Sequence, residues 1–339
     1  MVWIRRNAIV KIWRQFITLL GVALLATGCA SAYLPSLSIS AWEVVSLPNT
    51  TSYLADVSFS DRAHGWLVGS DSTLMETADG GKTWQLRSLA LGDQEYRLTS
   101  VSFAGSEGWV VGQPSILLHT TDEGKSWSQI PLSDKLPGSP STVLALSPKA
   151  AEMTTDVGAI YRTADGGKTW KALVQDAVGV VRNIARSADG KYVAVSAKGN
   201  FYSTWEPGQS SWSPHNRSSS RRVQNMGFAP NGQLWMLARG GLIQFNDPAE
   251  PDKWSKATSP EFSTSWGLLA AAYRTPDELW VSGGSGNLLR SMDGGKTWQK
   301  DKGVENVPSN LYKIVFTSPE QGFIIGQRGT LLRYKGLSA

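Results

Sequence analysis

One cysteine, three histidines and no apolar run long enough to cross a bilayer are found in 339 residues. The lone Cys29 excludes a disulfide framework and a cysteine-based zinc site. His64, His119 and His215 are too scattered to suggest a histidine-based one, so neither a metal nor a cofactor is expected. Charged residues make up only 18% of the chain against 41% apolar, a balance that can bury a core and rules out wholesale disorder. What is abundant is tryptophan, with 15 copies, and glycine, with 34. Large aromatics together with turn formers point to many short strands.

The first 28 residues read as an export signal. They carry Arg5, Arg6, Lys11 and Arg14 and no acid, followed by an apolar stretch from Phe16 to Ala26. That stretch is shorter than the roughly 20 residues a spanning helix needs. It ends in Thr27-Gly28-Cys29-Ala30, which resembles the lipobox of bacterial lipoproteins, with Ala26 where the box prefers Leu. The expected organisation is a signal peptide over 1–28, a lipid-anchored tether over 29–40 beginning at a lipidated Cys29, and one globular domain over 41–337. The leader accounts for most of the formal charge of +5, because the remainder has 29 basic against 28 acidic residues. An export signal and a near-neutral mature chain argue against nucleic-acid binding.

An internal repeat sets the architecture. Trp recurs at positions 42, 84, 127, 170, 212, 254 and 298, at steps of 42 to 44 residues. Four of these residues end a shared phrase, as in Thr-Ala-Asp79-Gly-Gly-Lys-Thr-Trp84, with Asp122, Asp165 and Asp293 in the equivalent places. The copies ending at Trp212 and Trp254 are degenerate. Within each period, alternating apolar residues are broken by Gly, Asp and Asn every eight to twelve positions, which predicts four antiparallel strands. Four strands per period of about 42 residues is a β-propeller blade. The last period lacks its Trp-bearing strand, and Trp42 lies in a lone strand that can supply it. The expected fold is all-β: a seven-bladed propeller closed by the N-terminal strand.

The repeated phrase is the Asp-box, whose expected role is structural. The carboxylate should accept backbone N–H groups of a tight hairpin while the Trp packs between blades. A second series (Trp66, Trp109, Tyr192, Trp235, Trp280 and Phe323) occupies second strands and should pack the core. Trp205 and Trp266 fall outside both series: Trp205 is placed in a degenerate Asp-box hairpin, and Trp266, in a loop before a first strand, is a candidate partner contact. Arg162, Arg290 and Arg333 end third strands and are expected to serve the Asp-box turns.

Propeller topology sorts the remaining cations. Arg97, Arg182, Arg217, Arg221 and Arg222 precede first strands, and Lys198, Arg239 and Arg328 lie between second and third strands. All eight therefore fall on the face opposite the Asp-boxes. Residues 178–240 carry eight basic and two acidic side chains, and Asp176 is an acid in an equivalent loop nearby. Arginine forks suit carboxylate, phosphate or peptide carbonyl groups, so an anionic or polar partner is expected there.

The phrase Val-x-Phe, Gly-Trp-x-Val-Gly, Leu-Leu-x-Thr-x-Asp-Gly-Gly-Lys-Thr-Trp is carried by residues 57–84, 101–127 and, more loosely, 278–298. It resembles the photosystem II stability and assembly factors of cyanobacteria and plastids, over about 40–337. The resemblance implies a non-enzymatic, monomeric protein without cofactor, peripheral on the lumenal side of the thylakoid membrane. It implies binding to the newly inserted precursor of the D-one reaction-centre subunit and to the early reaction-centre complex. By position, Arg182, Arg217, Arg221, Arg222 and Arg239 would make the binding patch. Contact with the membrane-insertion machinery is a further expectation. Two other readings stay open: a periplasmic scaffold lipoprotein, and a sialidase-like glycosidase. The glycosidase would need two carboxyl groups meeting the Arg cluster, and neither a Phe/Tyr-Arg-Ile-Pro segment near the N-terminus nor a Tyr–Glu pair beside the patch is found.

Overall fold

The computed structural model describes residues 34–48, 52–216, 220–260 and 267–336. Its strands form seven antiparallel sheets of consecutive segments, the blades of a propeller. Blade 1 comprises Leu54–Phe59, Gly65–Gly69, Leu74–Thr77 and Gln85–Leu86, from the innermost strand outward. Blades 2, 3 and 4 begin at Arg97–Ala104, Pro140–Ser147 and Val181–Arg186 and repeat this plan. Blade 5 has three strands, Val223–Phe228, Leu234–Ala238 and Leu242–Phe245. Its outer edge is reduced to the isolated bridges Ile243 to Thr258 and Asn246 to Trp254, where the Asp-box phrase is degenerate. Blade 6 begins at Leu268–Tyr273 and ends at Gln299–Lys300, and a single 3-10 turn follows at Lys302–Val304.

Closure follows the expected route. Blade 7 is built from Leu311–Ser318, Gln321–Gly326 and Leu331–Tyr334, and its outer strand is Trp42–Val45. Trp42 pairs with Tyr334 and Val45 with Leu331, so the two ends of the chain share one sheet. The second strands are buried along their whole length, as Gly65–Gly69 and Leu279–Gly283 illustrate.

In the Asp-boxes the carboxylate accepts N–H groups of its own turn. Asp79 Oδ1 accepts the N–H groups of Lys82 and Thr83, each at 2.9 Å, while Thr77 Oγ1 accepts the Gly81 N–H at 3.0 Å. In the second copy the hydroxyl and amide of Ser126 and the hydroxyl of Thr120 hold the Asp122 carboxyl down at about 2. Gly81 has φ +83°, and a Cβ there would come within 2.5 Å of the Phe323 ring of blade 7. Only glycine combines that backbone with that approach.

Trp42, Trp84, Trp127 and Trp170 each meet the second-strand aromatic of the blade before them. Trp127 stands edge-on to Trp66 at 5.8 Å, Trp170 to Trp109 at 5.8 Å, and Trp42 to Trp280 at 5.5 Å. Such pairs add about 0.5–1.5 kcal/mol beyond area burial. Blade 3 departs from the series, because Glu152 sits where its aromatic would be. Glu152 is buried and accepts hydrogen bonds from Arg186 Nε at 2.7 Å and Tyr192 Oη at 2.8 Å, both in blade 4.

Trp205 ends the third strand of blade 4, Phe201–Trp205, and is buried against Tyr192. One expectation is corrected. Arg162, Arg290 and Arg333 do not serve the Asp-box turns. They reach sideways to Glu152, Glu278 and Glu43 on neighbouring strands. Each Asp-box carboxylate already accepts from the N–H and hydroxyl groups of its own turn, while Glu43, Glu152 and Glu278 lie within reach of the guanidinium groups.

Candidate partner-binding face

The innermost strands surround a central channel that opens as a cavity of about 660 Å³ on the face opposite the Asp-boxes. Every innermost strand carries a register shift near its start, as between Leu54 and Asp56 or Leu311 and Lys313. The shifted residues turn polar groups toward the next blade. Ser100 Oγ donates to Asp56 Oδ2 at 2.8 Å, Asn183 Oδ1 accepts from Met226 N–H at 3.1 Å, and Asn225 Nδ2 donates to the Leu269 carbonyl at 2.8 Å. Lys313 Nζ lies 2.6 Å from Asp56 Oδ1 and links blade 7 to blade 1. A polar belt thus ties blades together just below the mouth. A signal for it exists in the sequence: Asp56, Ser100, Asn183, Asn225 and Lys313 recur at the repeat period within otherwise apolar strands.

At the mouth, Arg97 places its guanidinium 5.0 Å above the Tyr53 ring, which stacks on Tyr312 at 4.7 Å and 4°. The ladder spans blades 7, 1 and 2 and leaves Tyr53 39% exposed. A cation over an aromatic face is attracted by its quadrupole. Arg182 is anchored by the Ala197 carbonyl at 3.1 Å and by Gln224 Oε1 of blade 5 at 2.6 Å, yet remains exposed. Arg221 and Arg222 immediately precede the innermost strand of blade 5. Arg239 donates its N–H to the Arg222 carbonyl at 2.8 Å, and the Arg221 guanidinium lies over Gly240. Lys198 and Arg328 are exposed on loops of blades 4 and 7.

The structure therefore gathers Arg97, Arg182 and Lys313 into the channel lining, and sets Lys198, Arg221, Arg222, Arg239 and Arg328 on loops of that face. Arg217, Trp266 and Cys29 lie outside the described residues. Lys313, Tyr53 and Tyr312 were missed by charge counting: Lys313 lies inside a strand and the tyrosines carry no charge. Asp156 is the carboxylate in the channel lining, and it is engaged by the Ser139 N–H at 2.9 Å. Among the described residues no cluster of His, Cys, Asp or Glu could hold a metal ion, and no helix is long and apolar enough to cross a membrane.

Fold and face define a closed seven-bladed Asp-box propeller with a cationic channel mouth. The model of the photosystem II assembly factor family YCF48 matches residues 34–335. The chain is 64% identical to the photosystem II assembly lipoprotein Ycf48 of Trichormus variabilis, over 96% of each chain. It is 60% identical to the photosystem II assembly protein Ycf48 of Thermosynechococcus vestitus, over 93% of this chain and 91% of that one. Among solved structures it is similar to a YCF48 bound to a D1 peptide, with TM-score 0.87, 58% identity, and 89% of this chain and 99% of that one covered. A YCF48 from Cyanidioschyzon merolae matches with TM-score 0.80 and 40% identity, over 87% of this chain and 99% of that one. The chain belongs to the Ycf48 family of photosystem II assembly factors. A virginiamycin B lyase superposes with TM-score 0.68 at 12% identity, and so shares the fold alone.

Proposed function

We propose that this chain is a photosystem II assembly factor that binds the D1 precursor through the cationic channel mouth and promotes early reaction-centre assembly. It holds its partner and does not transform it. Support for the partner comes from the relative whose solved structure carries a D1 peptide. Support for the surface comes from the exposed Arg97 and Arg182 in the channel lining, where Asp156, the lining carboxylate among the described residues, is already engaged by the Ser139 N–H and Lys313 is paired with Asp56. Exposed guanidinium forks favour carboxylates and peptide carbonyls, and polar contacts of this kind give fast, reversible association. That suits a factor that must let go once assembly proceeds.

We further propose that the chain is exported and held on the lumenal side of the thylakoid membrane by lipid on Cys29. The lipoprotein names of its relatives support the lipid anchor. The deciding experiment is binding to peptides tiling the lumenal segments of the D1 precursor, repeated with Arg97, Arg182 and Arg222 changed to Glu. Salt-sensitive binding that disappears in the triple variant is expected. Equal binding by the folded variant would remove the patch from the reading, and no binding by the wild-type chain would favour the scaffold role.

A further inference from the structure

The segment before the propeller is clamped to one place on its rim. Residues 35–37 run parallel to the outer strand of blade 6, with Lys300 N–H donating to the Pro35 carbonyl at 2.8 Å and Leu37 N–H to the Lys300 carbonyl at 2.9 Å. Farther on, Ser40 Oγ and Ala41 N–H donate to the buried Asp301 carboxylate at 3.0 and 3.2 Å. The chain then becomes the outer strand of blade 7. Leu37 packs against the core shared by blades 6 and 7, while Ile39 is 43% and Val44 60% exposed.

The charges around this segment favour an anionic surface. Glu43 is held by Arg333 and Glu305 by Lys300. Lys302 and Lys335 are exposed, and Lys335 also acts electrostatically on the buried Asp301. The Lys335 N–H donates to the Ala41 carbonyl, which places it beside the same segment.

Five residues lie between Cys29 and Pro35, a span of six residue steps with a contour of at most about 22 Å. From these observations we infer that the outer rim at blades 6 and 7 rests on the bilayer, with Ile39 and Val44 entering the headgroup region and Lys302 and Lys335 facing anionic lipid. The inference rests on the reading of Cys29 as the membrane anchor. A rim contact lays the propeller axis along the membrane plane. The cationic mouth then opens sideways, within reach of a polypeptide leaving the bilayer, and does not press against lipid.

The test uses the full chain isolated with its anchor and placed on vesicles containing phosphatidylglycerol. Lipidation consumes the one native thiol, so an introduced cysteine takes a fluorophore alone. Labels at I39C and V44C are compared with V180C beside the channel mouth and K171C on the outer strand of blade 3. All four positions lie on the described surface, and Val180 is 63% exposed. Nitroxide lipids should quench positions 39 and 44 several-fold more than 171 and 180. Equal quenching at all four, or strongest quenching at 180, overturns the rim contact while leaving the anchor intact. A free thiol at Cys29 in the membrane-derived protein overturns the anchor reading, and the rim contact falls with it.

Discussion

Truncating Trp42 to Ala should loosen the ring at its closure. Trp42 is 3% exposed and packs edge-on to Trp280 at 5.5 Å, to Tyr334 at 5.2 Å, and beside Phe316 at 5.7 Å. Removing a buried aromatic of this size costs about 3–5 kcal/mol, and three lost ring contacts place the value at the upper end, about 5 kcal/mol. An unfolding entropy near 2.1 cal/mol/K per residue over roughly 300 residues makes that a fall in Tm of about 8 °C. The indole N–H of Trp42 makes no hydrogen bond among the described residues, so the loss is one of apolar packing. Trp42→Phe should therefore lose less than half as much. Calorimetry of the mature domain measures the shift, and hydrogen exchange locates it: amides of Leu331–Tyr334, the strand that Trp42–Val45 covers, should exchange faster than those of blade 3. A fall below about 2 °C, or unchanged exchange at Leu331–Tyr334, refutes the argument that this strand locks the ring.

Glu278 is fully buried and receives Arg274, Arg290 and the Trp280 N–H. Glu278→Ala leaves the largely buried Arg290 uncompensated and should cost about 3–5 kcal/mol in denaturant unfolding, with Glu278→Gln milder. The Asp122 carboxyl is held at about 2, below its ordinary 3.8, by hydrogen bonds from Ser126 and Thr120. A depressed folded pKa adds stability above the unfolded value that is lost as pH falls through the folded one. Acid unfolding of Asp122→Asn should accordingly lack one component between about pH 4 and pH 2, and a curve parallel to wild type would count against the box as its source. Charge reversal at Arg97 and Arg182, both exposed, should weaken D1-peptide binding at least about tenfold and flatten its salt dependence, while Tm stays within about 2 °C because no buried group is removed. A binding loss that survives high salt undiminished would mean the contact is not electrostatic.

The propeller was legible because its determinants are local and repeated. A Trp every 42 to 44 residues and the Asp-box hydroxyls, acids and glycines each act within one hairpin or against the adjacent blade. Period and chemistry can therefore be read along the chain, and the missing strand of the last blade identifies Trp42–Val45 as its complement. Individual exceptions were less visible. Glu152 stands in the aromatic series because Arg186 and Tyr192, more than 30 residues away, supply its partners.

From sequence alone come the blade count, the ring closure and the face on which Arg97, Arg182, Lys198, Arg221, Arg222 and Arg239 emerge, since alternation and turn chemistry are properties of neighbouring residues, whereas the loss of the fourth strand in blade 5 was not foreseen. Only the tertiary structure decided which cations are held and which are offered. Arg290 and Arg333 are tied to carboxylates on adjacent strands, whereas Arg182 is braced by a carbonyl and an amide and keeps its charge facing solvent. The same is true of Lys313, of the Tyr53 and Tyr312 stack and of the clamped segment at Lys300 and Asp301. Their partners lie up to 261 residues away in sequence, and ring closure alone brings them within hydrogen-bond reach.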